Sequence, residues 1–275
     1  MRLMRGFLAA VSGLVAVVAL AVALPAAWVA ASVADEDGFV SLSRDVVTDG
    51  AVQDAASDLL TTRLEREAGL PAQLAETGRR LLERATDRVF DDPQLSGAWA
   101  QTLRRTHAAL LDDPAAASGQ VPVPLDLAPL ARLAAERTDG LVDAPDRLVV
   151  ELPGGPDARA LRLVDESPGL ALAAGLVAAV GALVALLVAR RRGVALVWLG
   201  VGAVAAAGLD AGLARLARER TVDASTGDGL QTALVRALAD VGVTSFDGWL
   251  VWTALSGAVL AVLGVVVALV GRRTA

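Results

Sequence analysis

The sequence contains no cysteine, lysine, tyrosine, asparagine or isoleucine, and its one histidine is His107. Without cysteine the chain forms no disulfide and holds no thiolate nucleophile, and a single histidine excludes metal sites built from several imidazoles. The missing lysine excludes Schiff-base catalysis, and no Gly-x-Ser-x-Gly elbow accompanies the histidine. These absences favour a non-enzymatic protein without a metal or cofactor.

Charged residues are also scarce, at 20% of the 275 residues, whereas 55% are hydrophobic and the mean hydropathy is +0.54. This composition is typical of a membrane protein. A helix needs about 20 apolar residues to cross the hydrocarbon core of a bilayer. The uncharged runs predict four transmembrane helices, within residues 1–34, 168–189, 193–213 and 248–271.

The arginines are distributed unevenly around these spans. The short segments at the N-terminus, between the second and third spans (190–192) and at the C-terminus (272–275) carry seven arginines and no acid: Arg2, Arg5, Arg190, Arg191, Arg192, Arg272 and Arg273. The rest of the chain carries the other 18 arginines and all 31 acidic residues. Because cytoplasmic flanks carry an excess of positive charge, both termini are predicted to be cytoplasmic. Residues 35–167 and 214–247 are then extracytoplasmic.

The first span has an alternative interpretation as a cleaved signal peptide. Arg2 and Arg5 would form its basic region, and Ser32–Ala34 matches a small-residue cleavage site. The apolar run over 6–34 is much longer than the roughly 7–15 residues of a signal peptide, which favours a retained helix. Residues 35–167 are predicted to lie outside under either interpretation.

The segment 35–167 is predicted to be a mainly helical α+β domain. Asp35–Gly38 is interpreted as a solvated linker. Apolar periodicity and capping residues predict helices over 52–69, 71–90, 93–111 and 129–137. A strand is predicted over 121–125, and a β-hairpin over 147–152 and 159–164.

The second outer segment, 214–247, is predicted to form a helical hairpin on the membrane or against the larger domain. Its amphipathic stretches are 213–220 and 230–241. Asp210, just before it, is the one acid at the border of a span and is placed at the outer interface. With no other ionisable residue at membrane depth, a pump or coupled transporter is disfavoured.

Glycines recur every seven residues in the third and fourth spans. Small residues at such spacing let helices approach closely. We expect packing within the bundle, with an oligomer interface as the alternative. The glycines concerned are Gly193, Gly200, Gly257, Gly264 and Gly271.

The third helix of the outer domain carries the candidate site. Leu95, Trp99, Leu103 and His107 follow at intervals of four and share one helix face, which we expect to be buried. His107 is then either a core residue or a ligand or general base oriented by Asp126. Because the outer segments are acidic and hold few aromatics, no nucleic acid is expected as a partner.

This helix and the strand after it resemble an uncharacterised family of actinobacterial multi-pass integral membrane proteins with a large extracytoplasmic domain. The matching positions are Pro93, Leu95, Trp99, Arg105 and His107, followed by Val123–Leu130 as V-x-L-D-L-x-P-L. Leu95 stands where that family often has Phe. The resemblance implies the location and the architecture, and no substrate, cofactor or catalytic residue. It identifies Trp99, Arg105, His107 and Asp126 as a structural or functional cluster.

Three functions are consistent with these patterns. The favoured one is a non-enzymatic protein of the cell membrane whose outer domain binds a membrane or envelope protein or senses a ligand. The second is an accessory subunit of a transport or export complex. The third is an outer-face hydrolase using His107.

Overall fold

The protein is seen in a computed structural model that describes residues 2–68, 92–111, 121–136, 146–152, 155–224 and 229–273. The helix predicted over 71–90 lies outside these residues. The helices are α1 (Arg2–Val29), α2 (Glu36–Ser43), α3 (Gly50–Ala68), α4 (Leu95–Leu111), α5 (Ala128–Glu136), α6 (Ala158–Val188), α7 (Arg192–Ala224) and α8 (Gly229–Arg273), and the strands are β1 (Val123–Asp126) and β2 (Val149–Leu152).

The chain divides into two compact units. The bundle unit comprises residues 1–34, 166–219 and 243–275. The domain unit comprises residues 35–165 and 220–242.

Four helices are long and apolar enough to cross a membrane, as the sequence predicts. They are α1 with the π-helical segment that follows it, α6, α7 and α8. Arg190 and Arg191 form an exposed turn between α6 and α7.

Glycines allow close helix contacts in the bundle unit. A Cβ atom added at Gly200 of α7 would lie 2.4 Å from the carbonyl oxygen of Gly257 in α8, and one at Gly264 would lie 2.6 Å from that of Gly193. Backbones can approach this closely only where side chains are missing. The seven-residue glycine pattern thus joins α7 to α8, which confirms the predicted packing within the bundle.

The domain unit has a hydrophobic core built by its helices and sheet. Leu127, Leu130 and Val46 are at most 1% exposed, and Leu230 and Leu234 from the first turns of α8 belong to the same core. The stretch predicted over 230–241 therefore packs in this core, against the larger domain. The predicted helices over 93–111 and 129–137 are confirmed as α4 and α5 within two residues.

The predicted β-hairpin is wrong. β2 pairs antiparallel with β1, with Val123 opposite Leu152, so the helix α5 separates the two strands. The second predicted strand, over 159–164, is helical and belongs to α6. Its N-terminal turn is capped by Asp157, whose carboxylate accepts the Ala160 N–H at 2.7 Å, and Ala, Leu and Arg dominate the sequence that follows.

Two further local predictions are corrected. Asp35–Gly38 is no linker, because Asp35 caps α2 by accepting the Gly38 N–H at 2.8 Å. The stretches predicted as two short helices are the C-terminal part of α7 and the N-terminal part of α8. No proline lies near either predicted boundary, so each helix runs on through it. Residues 225–228, which separate the two helices in the sequence, lie outside the described residues.

Candidate functional site

One face of α4 lies in the core of the domain unit. Leu95, Trp99, Leu103 and His107 are each between 4% and 8% exposed. The indole N–H of Trp99 donates to the carbonyl oxygen of Ser43 at 3.0 Å. The predicted stripe is therefore buried, and its tryptophan ties α4 to the end of α2.

Arg105 and Asp126 form an ion pair between α4 and β1. The guanidinium Nη1 donates to Oδ2 of Asp126 at 2.7 Å, with 35% of the arginine side chain and 13% of the aspartate side chain exposed. The other carboxylate oxygen accepts the N–H groups of Ala128 at 3.1 Å and Leu148 at 3.3 Å. Asp126 thus connects α4, the start of α5 and the residue that precedes β2.

The surroundings of Asp126 favour its charged form. Burial raises the pKa of this carboxyl, but the Arg105 guanidinium and the two backbone N–H groups outweigh that effect and hold the pKa below its usual 3.8. Hydrogen bonds donated to a carboxylate stabilise the ionised state. Asp126 is therefore a carboxylate at neutral pH, with its charge balanced inside the fold.

His107 packs against α2, whereas Arg105 contacts the sheet. Its ring centroid is 5.2 Å from that of Phe39 in α2, with the planes inclined by 37°. The structure brings Arg105 and Asp126 together, and it packs the ring of His107 against Phe39 of α2. The sequence-predicted residues of α4 therefore join this helix to two different elements.

Three buried hydroxyl groups beside this face were missed by the sequence analysis. Ser43 and Thr102 are fully buried and Thr106 is 4% exposed, and none of their hydroxyl oxygens has a hydrogen-bond partner among the described residues. Thr102 and Thr106 are four residues apart and follow Trp99 on α4, so they share a helix face. The threonine spacing was the only sequence signal for this group.

A second polar group is buried in the bundle unit. Asp210 of α7 is 4% exposed, and its Oδ2 has no hydrogen-bond partner in the described part of the chain. Its helix neighbour Ala207 packs with Phe246 and Leu250 of α8. An acid on such a face is costly in a membrane protein and typically marks a functional position.

The predicted topology residues lie on or between the apolar helices. Arg5 belongs to α1, Arg190–Arg192 stand at the junction of α6 and α7, and all four side chains are exposed. Arg2 lies in α1, and Arg272 and Arg273 lie in α8. Which side of a membrane these arginines face stays a prediction.

The described residues contain no group of three or more His, Asp or Glu side chains that could hold a metal ion. No protein-family model, curated protein or solved structure matches the chain. The function is therefore inferred from the residues of this chain, and the resemblance to the actinobacterial family stays a prediction.

Proposed function

We propose that the protein is an integral protein of the cytoplasmic membrane that presents an extracytoplasmic domain for protein interaction or ligand sensing at the cell envelope, without enzymatic activity. The four apolar helices support membrane insertion. The seven arginines without acids support cytoplasmic termini and a cytoplasmic turn at 190–192. The domain unit is then the part exposed outside.

The observation that carries this proposal is the use of Asp126 within the fold. In the hydrolase hypothesis Asp126 orients His107 as the general base, which requires the carboxylate to accept a hydrogen bond from the imidazole. The two oxygens of Asp126 already accept three hydrogen bonds, from Arg105, Ala128 and Leu148. The most polar pair of the candidate site therefore serves to hold α4 on the sheet, as suits a domain that acts through its surface.

The orientation can be tested by cysteine labelling, because the chain has no cysteine of its own. Gly97 is a suitable outer position, since a Cβ there has nothing within 4 Å. We expect Gly97→Cys to react with a membrane-impermeant maleimide in intact cells, and Ala275→Cys to react only after permeabilisation. The reverse pattern would contradict the proposed topology.

The binding function can be tested by affinity capture of the full-length protein from mildly solubilised membranes. We expect a partner at comparable stoichiometry with the wild type. Arg105→Ala, which weakens the domain unit, should reduce its recovery. Gly212→Ala is the matched control, because a Cβ at Gly212 has nothing within 4 Å. Failure to recover a partner in several detergents would contradict protein interaction and leave ligand sensing as the proposed function of the domain.

The hydrolase alternative makes a different prediction for His107. A His107→Ala protein that keeps its thermal stability but no longer complements a deletion strain would favour that alternative. Under our proposal, any loss of complementation follows the loss of stability, because His107 packs against Phe39.

The buried Asp210 specifically favours a second candidate function, that of an accessory subunit of a transport or export complex. Buried ionisable residues in apolar helices often mark ion or substrate pathways. Asp210→Asn keeps the shape and removes the charge. Under this alternative it abolishes complementation at normal protein levels, whereas Asp223→Asn, an exposed position on the same helix, leaves it intact.

A further inference from the structure

A groove of about 960 Å³ lies within the bundle unit, between α1, the end of α6 and the first half of α7. Its walls are apolar, and α1 contributes small residues such as Gly6, Ala10 and Gly13. A Cβ at Gly6 would have nothing within 4 Å. The groove therefore exists because the side chains of this face of α1 near Gly6 are small or absent.

One end of the groove is cationic. Arg190 and Arg191 line it, and both side chains are exposed. Neither arginine forms an ion pair with any residue that the structure describes. No acidic residue occurs in 1–34 or in 168–209, so the sequence around the groove supplies no counter-charge.

The length of the groove corresponds to one leaflet of a bilayer. Its lining runs from Gly6 to Val17 on α1 and from Val194 to Ala205 on α7. Eleven residue steps of helix measure about 16 Å, which is close to half of a hydrocarbon core of about 30 Å. An acyl chain that starts at the arginine end therefore reaches the bilayer midplane along this groove.

We propose that this groove binds an anionic phospholipid of the bilayer, with an acyl chain along the apolar wall and the phosphate at Arg190 and Arg191. Basic pockets between transmembrane helices recognise anionic headgroups through such contacts. A zwitterionic lipid offers the same acyl chain but brings a cation next to the two arginines. Charge complementarity thus distinguishes the proposed lipid from the bulk bilayer.

Trp198 provides a reporter, because it lines the groove and is 71% exposed. The full-length protein is reconstituted in phosphatidylcholine vesicles that contain a minor fraction of brominated phosphatidylglycerol or of brominated phosphatidylcholine. Bromine quenches a nearby indole, and the difference between wild type and Trp198→Phe isolates the signal of Trp198. We expect the anionic lipid to quench this signal more strongly at equal fraction.

Arginine variants test the headgroup contact. A cationic side chain near an anionic lipid surface contributes about 1 kcal/mol, or about fivefold in affinity. Arg190→Gln/Arg191→Gln should therefore lower the preference for the anionic lipid by more than about fivefold, and Arg190→Lys/Arg191→Lys should retain it. Arg159→Gln/Arg162→Gln removes two exposed charges at the other end of α6 and should leave the preference unchanged.

A groove-filling variant tests the acyl contact independently of charge. Gly6→Leu/Ala10→Leu occupies the hollow and should reduce quenching of Trp198 by the anionic lipid to the level given by the zwitterionic one. The proposal is overturned if both brominated lipids quench wild-type Trp198 equally, because that outcome indicates contact with bulk lipid only. It is also overturned if the preference survives in Arg190→Gln/Arg191→Gln.

Discussion

The glycine contact between α7 and α8 leads to a quantitative prediction for Gly200→Ala. The added Cβ would lie 2.4 Å from the carbonyl oxygen of Gly257 and 2.6 Å from the backbone nitrogen of Ala261. Both neighbours are backbone atoms, which cannot rotate away as a side chain can. The methyl group therefore forces the two helices apart.

The size of the effect follows from the distances. Ordinary van der Waals contact begins at 3.4 Å, so α7 and α8 must separate by about 1 Å at Gly200. A gap of that size removes a quarter to a half of the dispersion energy of the atoms involved. Overpacking of this kind typically costs about 1–3 kcal/mol. We expect Gly200→Ala to lower the free energy of unfolding by that amount.

The assay is a denaturant titration of the full-length protein in mild detergent micelles, followed by the helical circular dichroism signal. Gly208→Ala is the control on the same helix, because a Cβ at Gly208 has nothing within 4 Å. It changes helix propensity alone, which favours alanine by roughly 0.5–1 kcal/mol. The control should therefore be neutral or slightly stabilising.

One result of comparing Gly200→Ala with Gly208→Ala would refute the close contact between α7 and α8. If Gly200→Ala is as stable as Gly208→Ala, the backbones of α7 and α8 are not in close contact at this position. The glycine repeat would then require another explanation, such as an interface between copies of the chain.

Three further predictions concern the domain unit. The pKa of Asp126 is lowered in the folded protein, so its ionised form stabilises the fold at neutral pH. The difference in the free energy of unfolding between wild type and Asp126→Asn should therefore shrink as the pH falls below 3.8. Denaturation at a series of pH values measures this difference. Trp99→Phe removes the indole donor to Ser43, and chemical denaturation should show a loss of about 1–3 kcal/mol. Thr102→Val replaces a buried hydroxyl without a partner and should raise stability by about 1 kcal/mol in the same assay; a loss of stability would show that the hydroxyl is in use.

The features that could be predicted from the sequence depend on the spacing of residues within a short segment. Four long uncharged runs predict four long apolar helices, and the structure contains them. The four-residue spacing from Leu95 to His107 predicts the buried face of α4. The seven-residue glycine spacing predicts a close contact within the bundle. In each case, the signal is a spacing that repeats within a single helix.

The errors occur where a short segment has two acceptable local structures. Residues 159–164 alternate enough to suggest a strand, but strand pairing is decided by residues far away in sequence. Val149–Leu152 instead pairs antiparallel with Val123–Asp126, and the whole of α5 lies between these strands in the sequence. Asp157 then caps a helix, and the segment joins α6. Tertiary pairing overrides the local preference here.

The burial of individual polar groups could not be predicted from the sequence. Ser43, Thr102 and Asp210 are common residues at unremarkable positions, and only the fold places them at 4% exposure or less. Each has a side-chain oxygen without a partner among the described residues, which is destabilising. Local rules tend to fail at sites used for function. Since an unpartnered acid in an apolar helix costs more than an unpartnered hydroxyl, Asp210 is the strongest of these three candidates for a role beyond packing.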